Sequence, residues 1–130
     1  MEKRYFRERV EILAATTGQN DLKYKVEKPL RIYYFEEVVV ENKTHDFTLI
    51  RYGTISFGDF HQYEEQQNPL AATLYPWEPE TPLRVFDTET LLARCTGVTA
   101  GDVLVMEVAG YYITITKPVE LEKIEKEAER

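Results

Sequence analysis

Residues 30–41, LRIYYFEEVVVE, decide the fold class of this chain. Most of these positions are aromatic or β-branched, the side chains that pack best on the pleated surface of a sheet. The segment therefore predicts a strand. Glu36 and Glu37 stand side by side within it, so one of the two must point toward the otherwise apolar face. A β-bulge or an edge position at this point would resolve the conflict.

The segments on either side carry strand patterns as well. Residues 22–26 alternate apolar with charged side chains, which is typical of a half-buried strand. Residues 5–15 fit a helix or a strand, and their alternation with charged residues favours the strand. In residues 47–57 the apolar residues fall on alternate positions, as on one face of a strand, and the pattern is interrupted near Gly53. This predicts a strand with a local break. We therefore expect an all-β, mainly antiparallel fold.

The C-terminal third leaves one choice open and adds a short helix. Two β-rich runs, residues 102–108 and 111–116, are separated by Ala109 and Gly110, which is the spacing of a two-residue hairpin turn. A continuous strand kinked at Gly110 is the alternative. Residues 89–94 predict a short helix, because a polar side chain just before them can cap its first turn.

The length and the apolar content predict a single domain. A chain of 130 residues with 43% hydrophobic residues can bury one core and is too short for two ordinary domains. We expect this domain, residues 1–118, to be a β-sandwich or a barrel. Residues 119–130 form a charged tail with apolar residues on one side, so a short helix is expected there.

Charge and hydropathy limit the partners. Sixteen basic against 23 acidic residues give a net charge of -7, which opposes attraction to nucleic acid and to anionic lipid. The apolar runs are far shorter than the roughly 20 residues of a membrane helix, and no signal-peptide core follows the charged start. We expect no nucleic acid or membrane partner, and a cytoplasmic or virion-associated protein that is not secreted by a signal peptide.

The use of cysteine and glutamate adds two expectations. Cys95 is the only cysteine, so no intrachain disulfide can form, and we interpret it as a small buried apolar residue. Glutamate greatly outnumbers aspartate and serine is scarce, which resembles the composition of heat-adapted proteins. A thermophilic source is one interpretation, and drift within a short chain is the other.

Residues 58–82 are dense in aromatic and polar residues but show neither a helical nor a strand period. The segment is longer than the roughly 12–15 residues at which an unstructured connection becomes unusual in a compact domain. Disordered segments are poor in aromatic residues, so we predict a long ordered loop that makes contacts. The predicted contact residues are Tyr63, Tyr75, Pro76 and Trp77. The alternative is that these rings cover an open end of the domain's own core.

The candidates for chemistry are few. Asp59, His61 and Glu64 could hold a metal ion, since one imidazole with two carboxylates is a known ligand set, and a solvated polar loop is the alternative. Ser56 lacks the GxSxG turn of a serine hydrolase. Neither glycine-rich phosphate-binding motif occurs. We therefore expect no catalytic residue and no cofactor.

Three functions remain open. The favoured hypothesis is a non-catalytic structural module that forms a homo-oligomer or docks on a larger particle through its aromatic loop, for example a viral coat accessory protein. The second hypothesis is a ligand-binding module, for instance for carbohydrate, in which Tyr63, Tyr75 and Trp77 stack on sugar faces. In that hypothesis Asp59, Glu64 or Gln66 would bind the sugar hydroxyls. The third is a small metal-dependent enzyme centred on His61 and its two carboxylates.

Overall fold

The structure is a computed structural model that describes residues 2–26, 30–44, 48–67 and 76–115. These residues form eight β-strands and no helix, which confirms the predicted all-β class. The strands are β1 Arg4–Leu13, β2 Gly18–Lys25, β3 Arg31–Asn42, β4 Leu49–Ser56, β5 Asp59–Gln67, β6 Leu83–Val85, β7 Thr90–Val98 and β8 Val103–Thr114. The helix predicted for residues 119–130 lies outside the described residues. Within the described ranges, no helix is long and apolar enough to span a lipid bilayer.

The strands form two antiparallel sheets of four strands each. Sheet I has the order β1-β8-β3-β6, and sheet II has the order β2-β7-β4-β5. Consecutive strands lie in different sheets, except for β4 and β5, which pair directly as a hairpin. This order is that of a double-sheet jelly roll. The structure thus resolves the choice between sandwich and barrel in favour of a sandwich.

The core lies between the two sheets and is built from alternate residues of the long strands. One continuous cluster of buried side chains joins the inner faces of both sheets. Its fully buried members include Leu22, Phe35, Val38, Ile50, Tyr52, Leu91 and Met106. Fully burying a side chain of this size contributes about 1.5–3 kcal/mol relative to an exposed position, so this cluster is the main stabilising element.

The bulge predicted at the two adjacent glutamates is confirmed. The register of β3 against β8 shifts between Phe35 and Glu37, which leaves Glu36 exposed and unpaired in that ladder. The hairpin turn predicted at Ala109 and Gly110 is wrong, because both residues pair within the continuous strand β8. A Cβ atom at Gly110 would collide with the carbonyl oxygen of Tyr34. The glycine is therefore required by close approach of two backbones and not by a turn.

The short helix predicted for residues 89–94 is also wrong, because these residues enter β7. This strand lies between β2 and β4 in sheet II. Leu91 and Ala93 face the core, while Leu92 on the other face is completely buried as well. A strand that is buried on both faces loses the alternation of apolar and polar residues, so its sequence is hard to tell from that of a helix.

The loop predicted for residues 58–82 is wrong for residues 59–67, which form a strand. Asp59–Gln67 forms β5, which pairs with β4 at the edge of sheet II. The sequence of the strand carries no apolar alternation, because none of its described side chains is buried. The break predicted near Gly53 is confirmed, since the register of β4 against β5 shifts between Tyr52 and Gly53. At this position the carbonyl of His61 and the ring of Phe60 occupy the space that a Cβ would need.

A buried polar cluster closes one end of the sandwich. The amide of Asn42, at the end of β3, donates a hydrogen bond of 2.9 Å to the carboxylate of Asp102. The same carboxylate accepts bonds from the Thr44 hydroxyl at 3.0 Å and from the Thr99 backbone N–H at 2.9 Å. Because buried polar groups are costly when unpaired, this fully bonded cluster fixes the β7–β8 turn against β3.

Candidate interaction surface

The predicted contact residues occupy different environments. Trp77 is only 8% exposed and belongs to the core cluster. Its indole stacks on the ring of Tyr52 with centroids 5.2 Å apart. The backbones of Trp77 and Val38 exchange two N–H···O hydrogen bonds, of 2.8 and 2.9 Å. Pro76 is exposed and Tyr63 is 57% exposed, while Tyr75 lies outside the described residues. The indole therefore fits the alternative in which a loop ring covers the domain's own core.

The three candidate metal ligands lie at separate positions along the strand β5. Asp59 pairs with Ser56 at the start of β5, and His61 pairs with Thr54. Glu64 lies beyond the bulge, where its carboxylate accepts the backbone N–H of Glu65 at 2.8 Å. In the described part of the chain, no three His, Cys, Asp or Glu side chains are close enough together to hold a metal ion. The geometry therefore gives no support to a metal centre at His61.

The interpretation of Cys95 as a buried apolar residue is confirmed. Its side chain is completely buried in sheet II, and its sulfur lies 3.8 Å from the carbonyl oxygen of Ala93. Burial, with a smaller contribution from the nearby carboxylate of Asp21, raises the pKa of the Cys95 thiol to about 12. The reactive form of cysteine is the thiolate, so this protonated thiol is a poor nucleophile at neutral pH.

The outer face of sheet I carries a row of aromatic side chains that sequence reasoning missed. Tyr5 on β1 pairs with Tyr111 on β8, and Tyr111 pairs with Tyr34 on β3. The next row along the sheet, which contains Phe35, faces the core, so these three side chains point to the outside. We call Tyr5, Tyr111 and Tyr34 the tyrosine row.

The rings of the tyrosine row are in direct contact. Tyr34 and Tyr111 stack with centroids 4.9 Å apart and planes at 16°. Tyr5 packs against Tyr111 in a tilted arrangement at 5.8 Å and is 72% exposed. The ammonium group of Lys3 lies 4.5 Å from the centre of the Tyr111 ring, within the range of a cation–π contact. The row is therefore an ordered surface with a cation beside it.

A pocket opens beside the tyrosine row. It has a volume of about 210 Å³ and is lined by Tyr34, Thr81, Pro82, Arg84 and Tyr111. We call it the tyrosine pocket. Arg84 belongs to β6, and its backbone is paired with that of Tyr34 in the sheet. The pocket thus combines aromatic walls with one cationic side chain.

On one side of the tyrosine row, the outer face of sheet I carries ion pairs. Arg7 lies 3.9 Å from the carboxylate of Glu37 and 4.0 Å from that of Glu107. Arg9 pairs with Glu11 at 3.5 Å. These are exposed ion pairs, which stabilise a fold by about 1 kcal/mol at most and are common on solvated sheet faces. On the other side of the tyrosine row, Ile32 pairs with Ile113, and both belong to a small buried apolar cluster against which Tyr34 packs. The tyrosine row therefore lies between a buried apolar cluster and an ion-paired region.

A signal for the tyrosine row was present in the sequence. Tyr33-Tyr34 and Tyr111-Tyr112 are adjacent pairs inside predicted strands. Neighbouring residues of a strand point to opposite faces, so each pair must place one ring inside and one outside. Tyr33 does face the core, where it contacts Phe35. The pairing of three strands that brings the outer rings together was not readable from the sequence.

Comparison with known proteins adds little to this geometry. No protein-family model matches the sequence, and no similar curated protein was found. Among solved structures, a similar chain occurs in the structure of infectious bursal disease virus, Gx strain. The two chains are 11% identical with a TM-score of 0.29, and the match covers 95% of this chain and 44% of the viral one. A likeness at that score carries no argument about function.

Proposed function

We propose that this protein is a non-catalytic structural subunit that self-associates, and that the tyrosine row is its main contact surface. The observation that carries the proposal is the ordered row of three tyrosines on an outer sheet face. Tyrosine is favoured at protein contacts because its ring buries a large area with few rotors while its hydroxyl remains able to hydrogen-bond. Rings already held by their neighbours lose little entropy on binding.

The stacking of the rings favours a protein partner over a sugar. A carbohydrate stacks on an open ring face, but Tyr34 and Tyr111 cover each other at 4.9 Å. Two groups that the carbohydrate hypothesis would use are also engaged inside the domain. Trp77 stacks on Tyr52, and the side-chain oxygen of Gln66 accepts a 2.8 Å hydrogen bond from the Tyr52 hydroxyl. These contacts leave carbohydrate binding with less support than protein contact.

The electrostatics of the surface also support self-association. The chain carries a net charge of -7, so its copies repel one another on average. Lys3 and Arg84 lie beside the tyrosine row, so an acidic copy that approaches this surface meets two cationic side chains. Copies would therefore approach with least repulsion through this face.

The side-chain chemistry supports a role without catalysis. The raised pKa of the Cys95 thiol weakens it as a nucleophile, and Asp59, His61 and Glu64 are not gathered as a metal site. A subunit of this kind would act by occupying a place in an assembly and not by catalysing a reaction. A viral coat accessory protein, which docks on a larger particle in many copies, is one instance of the class.

The proposal is tested by multi-angle light scattering over a range of protein concentrations. We expect masses above the 15.2 kDa of one chain, rising with concentration. The double variant Tyr5→Ala, Tyr111→Ala should weaken association by at least about tenfold, because removing a tyrosine that is a hot spot of an interface costs about 2 kcal/mol or more. Tyr63→Ala removes an exposed tyrosine from sheet II and serves as the matched control.

Circular dichroism would establish that both variants fold. A wild-type protein that remains at 15.2 kDa at every concentration would contradict the proposal. So would a double variant that associates as strongly as the wild type. Loss of association in Tyr63→Ala alone would instead assign the contact to β5, where the sequence predicted it.

A further inference from the structure

The tip of the β4–β5 hairpin carries a phenylalanine in an unfavourable position. Ser56 pairs with Asp59, so the turn consists of Phe57 and Gly58 alone. Both residues have positive φ angles, 51° and 85°. Two-residue turns with this geometry strongly favour Asn-Gly, because a bulky L-residue is strained at positive φ. The first position is nonetheless a phenylalanine.

The ring of Phe57 contributes nothing to the folding of its own chain. Its side chain is 91% exposed, more than that of any other large hydrophobic residue described. An exposed aromatic ring gains no burial energy, and the backbone beneath it is strained. Burial of the ring against another molecule would supply free energy that offsets the cost of this strain. The hairpin tip is therefore a candidate anchor for a partner.

We propose that Phe57 of one copy inserts into the tyrosine pocket of a second copy. This inference rests on the proposed function and names the contact that self-association uses. The pocket volume of about 210 Å³ is sufficient for a phenyl ring, since an engineered apolar cavity of about 150 Å³ holds benzene. Tyr34, Tyr111 and Pro82 supply the walls that such a ring contacts.

Charges beside the two surfaces are complementary. Asp59 follows the hairpin turn directly and is exposed. Arg84 lines the pocket, and Lys3 lies against the ring of Tyr111 at its margin. Opposite charges around a contact accelerate the encounter and fix its orientation. The same arrangement opposes docking of two pockets or of two hairpin tips on each other.

The contact joins different surfaces of the two copies. Phe57 belongs to sheet II, whereas the pocket lies on the outer face of sheet I. Because the ring is 91% exposed, it does not fill the pocket of its own chain. Each copy therefore offers one anchor and one pocket. Such a contact produces an open filament or a closed assembly, of which two copies that exchange their rings reciprocally are the smallest.

The test uses two full-length variants that each disable one half of the contact. Phe57→Asn removes the ring and supplies a residue that the turn prefers, so the fold is kept. Thr81→Trp fills the pocket from its margin and leaves Phe57 intact. Each variant alone should associate about 30-fold more weakly than the wild type or worse, the effect of losing one buried aromatic side chain.

Mixing the two variants gives the decisive measurement. The pocket of Phe57→Asn and the ring of Thr81→Trp are both intact, so an equimolar mixture should form dimers of one chain of each kind and nothing larger. Light scattering and native mass spectrometry measure both the mass and the composition. A mixture that stays monomeric would overturn the inference.

Failure of this contact can be distinguished from failure of the proposed function. If Phe57→Asn keeps the wild-type mass while Tyr5→Ala, Tyr111→Ala loses it, the tyrosine row is a contact surface and Phe57 is not its occupant. If the wild type is monomeric at every concentration, both proposals are wrong.

Discussion

Replacing Trp77 by alanine separates a core role from a contact role for the chain's only tryptophan. Trp77 is 8% exposed, so nearly all of its side chain is removed from water. A buried aromatic side chain covers about 150–250 Å², which at about 25 cal/mol per Å² corresponds to about 4–6 kcal/mol. Measured losses for large aromatic residues replaced by alanine in cores are about 3–5 kcal/mol. We therefore expect Trp77→Ala to lower the unfolding free energy by about 3–5 kcal/mol.

The measurement is urea denaturation followed by far-ultraviolet circular dichroism. A loss of this size is a large part of the roughly 5–15 kcal/mol that stabilises a typical domain, so the midpoint should fall markedly. Trp77→Phe keeps a ring that can stack on Tyr52 and should lose less than half as much. The native wild-type protein should also show the blue-shifted emission of a buried indole.

Tyr63→Ala is the control, because its ring is 57% exposed and its removal should change stability by no more than about 0.5 kcal/mol. The reasoning fails if Trp77→Ala is as stable as this control. It also fails if the tryptophan emission of the folded wild type matches that of the unfolded chain. Either result would place the indole in solvent and return it to the list of contact residues.

Two other changes test the packing of the sheets. Gly110→Ala sets a Cβ against the carbonyl oxygen of Tyr34, so we expect a loss of about 1–3 kcal/mol, and wild-type stability in urea would contradict the close approach. The pKa of Cys95 is raised from 9.0 to about 12, so the folded state retains a proton that the unfolded chain releases, and stability is lost as the pH rises from 9 toward 12. Because the unfolded thiol is half ionised near pH 9, this loss is about 1 kcal/mol between pH 9 and pH 10, and Cys95→Ala should lack it when both proteins are denatured at these two pH values.

The sequence predicted the fold where a strand has one buried and one solvated face. Residues 22–26 and 30–41 belong to such strands, and the paired glutamates in the second even indicated the bulge at Glu36. The two segments that were misread lie at the extremes of exposure. β7 is buried on both faces at Leu91, Leu92 and Ala93, and β5 has no buried side chain among its described residues. Neither can show an alternation, because alternation reports a difference between faces.

The candidate site was less accessible to sequence reasoning for a topological reason. Tyr5, Tyr34 and Tyr111 come from the first, third and eighth strands, which are adjacent only because β8 lies between β1 and β3. A tyrosine pair in a strand indicates that one ring faces outward, but the partner of that ring depends on strand order. The aromatic segment around Trp77 gave the stronger sequence signal, yet its indole is used internally.

The topology also explains why the anchor and the pocket lie where they do. Among the eight described strands, β4 and β5 are the only consecutive pair within one sheet, so theirs is the only connection that need not cross the sandwich. A crossing connection must span the roughly 10 Å between packed sheets, which ties its residues to the end of the domain. The tip that carries Phe57 is free of that constraint and can project into a neighbour. Because the receiving pocket lies on the opposite sheet, successive copies can add without competing for the same surface.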